Sequence, residues 1–339
     1  MIDNKKCHVN VTFAWVRDCQ RKRAFVMFTP AIILDGPGRI DLKRAELRDV
    51  GADDVVVDVN WSGISSGTER LLWSGRMPDF PGMGYPLVPG YETVGTVGEC
   101  GDNAEHLAGA TVFVPGANAF KSVRSLFGGA AARLVVPASR VSIIDETLGD
   151  RATLLALAAT AHHIAPLGAD WRPELIVGHG VLGRLLARLT ICSGAPPPTV
   201  WDVNAERRVG EFPYPVLAPE SDARKDYARI CDVSGSSNIL DDLIGRLAPG
   251  GEIVLGGFYA APLKFAFPPA FMREARLRVA AQWRPDDLAA AIRLVASGDL
   301  SLDGLISHHA PATDAVHAYA QAFDDEACLK MVLDWSGMS

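Results

Sequence analysis

A glycine-rich turn in the second half of the chain, Gly178-His-Gly-Val-Leu-Gly183, limits the fold more strictly than any other segment. An apolar run at 175–177 precedes it, and a helix-like run at 184–190 follows it. A second strand-like run ends at Asp202, 19 residues beyond Gly183. Strand, glycine turn, helix and a second strand with an acidic residue are what a dinucleotide-binding βαβ unit requires. The segment therefore predicts a parallel sheet with a nucleotide site at the turn; the alternative is a glycine turn in a ligand-free α/β domain.

The positions of this turn have separate physical roles in holding a dinucleotide. Gly178 permits the tight turn, Gly180 lets the backbone approach a pyrophosphate, and Gly183 lets helix and strand pack closely. The N–H groups at the start of the helix, around Val181 and Leu182, offer partial positive charge to the phosphates. Turns at the ends of later strands complete the predicted cofactor site, which adds Ser234, Gly235, Gly257 and Phe258.

Asp202 decides which nicotinamide cofactor the sequence predicts. Its carboxylate can accept hydrogen bonds from the ribose hydroxyls and would repel a ribose phosphate, which favours NAD over NADP. Arg207 and Arg208 follow it closely, and they would favour NADP if their side chains turned inward.

The periodicity of the chain changes near residue 150. Before it, short apolar runs with Gly and Pro turns predict mostly β-structure. From residue 151, helix-like and strand-like segments alternate, which predicts a parallel sheet with right-handed crossovers. We predict a β-rich domain over 27–150, a nucleotide-binding domain over 151–299, and a return of 300–339 to the first domain.

Residues 1–26 differ from the rest of the chain in charge. They carry six basic and two acidic residues, whereas the whole chain has 33 basic and 40 acidic ones. They lack the long apolar region of a secretory signal, and the strand pattern begins only after them. We interpret 1–26 as an extension upstream of a physiological start at Met27; a basic surface arm is the alternative.

The overall composition excludes several classes of protein. A formal net charge of −7 disfavours a nucleic-acid-binding protein. No run of 18 apolar residues occurs, so we predict no membrane span. The six cysteines include no CxxC pair, which argues against a four-cysteine zinc lobe and for reduced thiols in the cytoplasm.

Short motifs along the chain resemble those of the medium-chain dehydrogenase/reductase family. SGISSGTE at 62–69 is similar to its G-[ICV]-C-x-T-D loop, and VPGYETVGTV at 88–97 to its P-x-x-x-G-H-E-x-x-G-x-V segment. LAPGGEIVLGG at 247–257 is similar to its strand and turn near the nicotinamide. The resemblance covers nearly all of 31–339. It implies an α/β fold in which a GroES-like β-rich domain accompanies a doubly wound, parallel-sheet Rossmann domain.

The positions that bind zinc in that family are changed here. Its ligand cysteine falls on Ser65, its ligand histidine on Tyr91, and a later cysteine near Ala156. A catalytic zinc needs three protein ligands of the Cys, His or carboxylate kind, and only Glu92 remains. We therefore predict a zinc-independent protein with no metal.

One branch of the family is similar over longer stretches, among them 66–92, 176–190 and 271–285. This branch comprises the bacteriochlorophyllide a dehydrogenases of purple photosynthetic bacteria. The resemblance implies an oxidoreductase of bacteriochlorophyll biosynthesis that oxidises the hydroxyethyl side chain of a tetrapyrrole, a bacteriochlorophyllide or chlorin, to acetyl. It also implies NAD as the hydride acceptor and homodimers joined through their nucleotide domains.

A wide, planar, apolar substrate with a carboxylate suits the Gly- and Pro-rich segment 61–90, which we interpret as a functional loop. Aromatic and methionine side chains could line a broad cleft, and two arginines could meet the carboxylate; the alternative is that these apolar side chains form ordinary core. The predicted substrate residues are Arg70, Trp73, Arg76, Met77, Phe80, Met83, Tyr85, Phe120, Phe127 and His162.

Without a metal, other groups must handle the proton that the alcohol loses. The candidates are Tyr91, Glu92, Ser65 and Thr68, which combine a phenol beside a carboxylate with hydroxyls that could complete a relay. We expect Tyr91 to point at the reacting oxygen and Glu92 to hold its carboxylate near the same point.

Two other functions remain compatible with these residues. One is a zinc-free quinone or enone reductase of the same superfamily that uses NADPH. The other is a nucleotide-binding regulator without turnover.

Overall fold

The computed structural model describes residues 26–79 and 81–338, so Phe80 and nearly all of the predicted extension lie outside the described residues. The first part of the chain is mainly β-structure with one short α-helix and two 3₁₀ turns among the described residues. Its elements are β1 (Phe28–Gly36), β2 (Arg39–Glu46), β3 (Asp54–Ile64), α1 (Thr68–Trp73), β4 (Leu87–Val88), β5 (Thr93–Cys100), β6 (Thr111–Val114), β7 (Arg124–Ser125), β8 (Arg133–Pro137) and β9 (Ser142–Ile143).

A 3₁₀ helix at Glu146–Leu154 leads into the α/β part of the chain. Its strands and helices alternate as the sequence predicts. The elements are α2 (Leu155–Ile164), β10 (Leu175–Val177), α3 (Val181–Cys192), β11 (Thr199–Trp201), α4 (Ala205–Arg208), β12 (Val216–Leu217), β13 (Tyr227–Asp232), α5 (Leu240–Arg246), β14 (Leu247–Leu255), α6 (Phe267–Met272), β15 (Arg276–Val279) and α7 (Pro285–Ala296).

The α/β part forms one six-stranded parallel sheet in the order β12-β11-β10-β13-β14-β15. Its central strand β10 is apolar and buried throughout, because parallel strands with helices on both faces have no solvent side. β14 is irregular at residues 249–251, which belong to the strand. They bulge, and the pairing with β13 shifts there from Tyr227–Leu247 to Arg229–Glu252.

The end of the chain returns to the first part as β16 (His308–Pro311), α8 (Ala315–Asp324) and β17 (Met331–Asp334). β17 inserts between β16 and β3 in a seven-stranded sheet that also contains β5, β6, β8 and β9. It runs antiparallel to β3 and pairs Met331 with Ile64. This register brings the residues just before β17 beside the loop that follows β3, where the predicted catalytic residues begin.

The predicted loop 61–90 is only partly a loop. Residues up to 64 belong to β3, and α1 takes up 68–73 before the chain becomes irregular. None of the helices in the described ranges has the length and apolar character needed to cross a bilayer.

Candidate functional site

A cleft of about 2170 Å³ lies between the β-rich first part of the chain and the α/β part. One wall comes from the loop after β3 and the start of β5, and the other from the ends of the parallel strands. Such a position, at the carboxyl ends of a doubly wound sheet, is where that fold binds ligands. The lining includes Ser65, Thr68, Arg70, Met77, Tyr91, Phe127, His163, Gly178, Gly180, Val181, Leu182, Gly183, Asp202, Arg207, Ser234, Gly257, Phe258 and Lys330.

The glycine turn has the shape that a dinucleotide needs. Gly178 has φ +105°, a conformation that favours glycine, and Gly180 caps the N-terminus of α3. A Cβ at Gly183 would collide with the carbonyl of Gly178, so only glycine allows helix and strand this close. At Gly180 the nearest atom to an added Cβ is 3.9 Å away, which leaves the backbone open to a phosphate.

Asp202 follows β11 directly and lines the cleft. Its Oδ2 accepts a hydrogen bond from the His179 N–H at 2.7 Å, and its Oδ1 accepts one from the Asn204 N–H at 2.8 Å. These two bonds fix the carboxylate beside the glycine turn while leaving acceptor capacity for hydroxyl groups.

The two arginines after Asp202 take different directions. Arg208 donates from Nη1 to the carbonyls of Asp202 and Val203, at 2.8 and 2.9 Å. Arg207 lines the cleft, and its buried Nε has no hydrogen-bond partner among the described residues. Of these two arginines, Arg207 is therefore the one that faces the cleft.

His179 has a structural role that sequence reasoning missed. Its Nδ1 lies 2.7 Å from the carbonyl of Arg207 and its Nε2 lies 3.1 Å from Tyr214 Oη, while its ring meets the edge of Phe212. Burial lowers the pKa of His179 to about 4, so the imidazole is neutral near pH 7. It thus links the glycine turn to the segment that carries Arg207.

The other predicted cofactor residues mostly reach the cleft. Ser234, Gly257 and Phe258 line it. Gly235 does not: its backbone N would lie 3.0 Å from a Cβ on Gly257, so it supports the turn from behind.

Ser65 and Tyr91 meet at the opposite wall. Ser65 Oγ and Tyr91 Oη are 2.7 Å apart, and the Tyr91 ring packs edge to face on Phe127 at 5.0 Å between centroids. The Thr68 N–H points at Ser65 Oγ from 3.4 Å. Burial, followed by the nearby charge of Glu92, raises the pKa of Tyr91, so the phenol stays protonated near neutral pH. Three of the four predicted catalytic residues therefore gather at one point of the cleft.

The fourth predicted catalytic residue, Glu92, was expected at the cleft but does not line it. The Glu92 side chain points into the protein, toward Gly63 and Lys330. Its side chain is fully buried and forms an ion pair with Lys330, which lies just before β17. Burial raises the pKa of Glu92, and the charge of Lys330 opposes that rise.

Lys330 is a second residue that sequence reasoning missed. Its side chain is only 3% exposed, yet it borders the cleft. The one available signal was a lysine at the start of the strand-like run KMVLDW, where a buried strand would otherwise be apolar.

The predicted substrate residues divide between cleft and core. Arg70, Met77 and Phe127 line the cleft. Exposed Arg76 instead donates to Ser74 Oγ at 3.2 Å. Four apolar or aromatic side chains pack against the body of the protein and not on the cleft; Phe120 is buried and the other three are half-buried. These are Trp73, Met83, Tyr85 and Phe120. The Trp73 ring contacts Phe323, and the Tyr85 hydroxyl donates to the Leu72 carbonyl.

His162 was predicted to contact the substrate, but it does not line the cleft, whereas its neighbour His163 does. The Nδ1 atoms of His162 and His163 each lie 2.8 Å from one oxygen of Asp287. Burial alone would raise the pKa of Asp287, but hydrogen bonds from the Arg284 N–H and both histidines hold it below its usual value. The two histidines therefore link α2 to the start of α7 through Asp287.

The residues at the family's zinc position do not suit a metal ion. A serine and a protonated tyrosine are bonded to each other there, and neither is a usual zinc ligand. Across 26–79 and 81–338, no group of three His, Cys, Asp or Glu side chains could hold a metal ion.

Comparisons with known proteins bear on this site. The Alcohol dehydrogenase GroES-like domain family matches residues 51–146. The chain is 54% identical over 310 residues to the 2-desacetyl-2-hydroxyethyl bacteriochlorophyllide A dehydrogenase of Rhodobacter capsulatus, covering 91% of this chain and 99% of that protein. It is 52% identical to the protein of the same name from Cereibacter sphaeroides, with the same coverage.

Solved structures confirm the predicted fold class. A short chain alcohol dehydrogenase from Escherichia coli CFT073, complexed with NADH, superposes with a TM-score of 0.77 at 20% identity. The match covers 91% of this chain and 99% of that one.

Proposed function

The chain belongs to the family of the 2-desacetyl-2-hydroxyethyl bacteriochlorophyllide A dehydrogenases, within the medium-chain dehydrogenases/reductases, and we propose that it oxidises the hydroxyethyl group of such a tetrapyrrole to acetyl with NAD as hydride acceptor. The family resemblance predicted from the sequence is thereby confirmed. Membership supports this reaction over the two alternatives, a quinone or enone reductase that uses NADPH and a regulator without turnover.

The observation that carries the proposal is a single cleft shared by a dinucleotide turn and a pair of hydroxyls. At about 2170 Å³ the cleft exceeds the roughly 300–1,000 Å³ of ordinary ligand sites, which gives room for a dinucleotide and a macrocycle together. Met77 and Phe127 offer apolar contact at its wall, and Arg70 offers a positive charge to a carboxylate on the ring.

The chain's own residues account for the polar part of the chemistry. When bound, NAD accepts the hydride from the carbinol carbon. The hydroxyls of Ser65 and Tyr91 hold the alcohol oxygen and donate hydrogen bonds to it as its proton leaves for solvent. Because the pKa of Tyr91 is raised, its phenol orients the alcohol and does not act as the base by itself.

A direct test uses protein treated with a metal chelator and mixed with NAD and a hydroxyethyl bacteriochlorophyllide. Oxidation conjugates the new acetyl carbonyl with the ring, so we expect the longest-wavelength absorption band to shift while NADH accumulates. Full activity after chelation is expected because Ser65 and Tyr91 replace metal ligands. Activity that disappears on chelation and returns with zinc would refute this mechanism.

The Escherichia coli dehydrogenase above is complexed with NADH, and Asp202 supports NAD as the form used here. We expect Asp202→Ser to weaken NAD binding by about tenfold and to improve NADP binding, since it removes an acceptor for the ribose and a charge that repels phosphate. Isothermal titration with both cofactors measures this. The matched control is Asp222→Ser, an acid outside the cleft lining. If the unmodified protein bound NADP better than NAD, the positive charge of Arg207 would outweigh the charge of Asp202, and the proposal of NAD would be contradicted.

We also propose a homodimer formed through β15. This strand ends the six-stranded sheet, and Val279 and Leu277 on it are 76% and 40% exposed. Exposed Phe267 and Phe271 lie on α6, immediately before it. A strand at the edge of a sheet, here with exposed Leu277 and Val279, is a template for pairing with a second copy.

We expect Leu277→Arg to shift the protein from dimer to monomer in sedimentation velocity, because it places a charge in the proposed contact. Val316→Arg, at an exposed apolar position on α8, should leave the dimer intact. A monomeric unmodified protein would contradict the dimer.

The cytoplasm is the proposed compartment, since Cys231 and Cys328 are buried free thiols.

A further inference from the structure

Behind Ser65 and Tyr91 lies a buried group of charged side chains that the chemistry above does not use. Glu69, on α1, is fully buried. Its Oε2 accepts a hydrogen bond from Tyr319 Oη of α8 at 2.8 Å, and its Oε1 accepts one from the Ser65 N–H at 3.3 Å. Glu69 therefore contacts the backbone of a residue whose hydroxyl faces the cleft.

The charges in this group do not balance. Two carboxyls, Glu69 and Glu92, share one ammonium, and Lys330 makes its ion pair with Glu92. Glu69 has only neutral donors, and a buried carboxylate without a cation is costly. Its ionised and protonated forms must therefore compete under mild conditions.

The direction in which the pKa of Glu69 is shifted agrees with this excess of carboxyl groups over ammonium groups. Burial raises the pKa of Glu69 to about 7, and the charge of Glu92 adds to the rise. The hydrogen bonds from Tyr319 and Ser65 and the charge of Lys330 oppose it. Tyr91 is the remaining titratable group near Glu69, and the Glu69 charge in turn helps to raise the pKa of Tyr91.

We propose that Glu69 is a positioning residue whose ionisation sets the pH dependence of alcohol oxidation at Ser65 and Tyr91. The inference rests on the proposed function. Ionised Glu69 accepts the Ser65 N–H bond strongly and fixes the Ser65 backbone, which holds the Ser65 and Tyr91 hydroxyls in place for the alcohol oxygen. Protonated Glu69 is a weaker acceptor, so the hydroxyl pair positions the alcohol less well and hydride transfer is slower.

The first test follows single-turnover hydride transfer at saturating NAD between about pH 5.5 and about pH 8.5. We expect the rate in the unmodified protein to rise with pH through an inflection near neutrality. Glu69→Gln keeps the size of the side chain but has no charge. We expect it to abolish this inflection and to be about tenfold slower at the alkaline end, with NAD affinity unchanged.

The matched variant is Tyr319→Phe, which removes a hydrogen bond that stabilises the ionised form of Glu69. It should retain the inflection and move it to higher pH by about one unit, because losing that bond favours the neutral acid. A merely structural role for Glu69 would lower the rate in both variants without moving the inflection. If Glu69→Gln fails to fold, the position of the inflection in Tyr319→Phe tests the proposal by itself: a shift to higher pH supports it, and an unmoved inflection overturns it.

Infrared difference spectra over the same pH range provide a readout that needs no turnover. We expect the carbonyl band of a protonated carboxyl to titrate near neutrality in the unmodified protein and to be missing in Glu69→Gln. An unchanged pH profile in the folded variant, or no such band, overturns the proposal. A protein that shows the band but never oxidises the hydroxyethyl substrate contradicts the proposed function instead.

Discussion

Replacing Lys330 by methionine should lower the free energy of unfolding by about 3–5 kcal/mol, the usual cost of leaving one partner of a buried ion pair alone. The side chains of Lys330 and Glu92 are 3% and 0% exposed, so water cannot take the place of the ammonium. Methionine fills a similar length but leaves the Glu92 carboxylate without a cation. Urea denaturation near pH 7 measures the loss.

The pH dependence of that loss identifies its cause. In Lys330→Met the folded protein holds Glu92 with a pKa further above its unfolded value, so the carboxyl destabilises the fold at high pH. As the pH falls, the folded protein takes up a proton and the penalty shrinks. We therefore expect the difference from the unmodified protein to be smaller at about pH 5 than at about pH 8.

Two further variants complete the comparison. Glu92→Gln combined with Lys330→Met removes both charges and should recover much of the stability lost in the single variant. Lys121→Met removes an exposed lysine that pairs with Glu46 and Asp49 at the surface, and it should leave the denaturation midpoint almost unchanged. Equal losses in Lys330→Met and the double variant would show that packing, not charge, is responsible.

This ion pair also shows where sequence reasoning stopped. The glycine turn and Asp202 were predictable because a βαβ unit brings them together within 25 residues of chain. Lys330 lies far along the chain from Glu92, and only the register of β17 against β3 brings the two together. No periodicity within either segment indicates such a pairing.

The aromatic residues near the cleft illustrate a second limit. Composition alone gives the same expectation for Phe127, which lines the cleft, and for Phe120, which is buried in the core. Which of them meets the cleft depends on the strands that cover each one. His162 and His163 differ in the same way, because one helix turns adjacent side chains to different sides.

Replacing Tyr91 by phenylalanine should slow hydride transfer by about tenfold to a hundredfold, at or just below the lower end of the range for a positioned proton-transfer group. The change removes only the hydroxyl, which lies 2.7 Å from Ser65 Oγ. The ring keeps its packing on Phe127, and the glycine turn and Asp202 are untouched, so NAD affinity should stay the same. Single-turnover hydride transfer with the hydroxyethyl substrate at saturating NAD measures the effect.

Ser65→Ala is the matched partner, because the two hydroxyls form one hydrogen-bonded pair. If they hold the alcohol oxygen together, the double variant should be little slower than Tyr91→Phe alone, since removing either hydroxyl already breaks the pair. Independent effects that multiply would mean that each hydroxyl meets the substrate by itself. An unchanged rate in Tyr91→Phe would transfer the role to Thr68 or His163, which line the same cleft. A loss of NAD affinity would instead mean that Tyr91 shapes the cleft without touching the reacting oxygen.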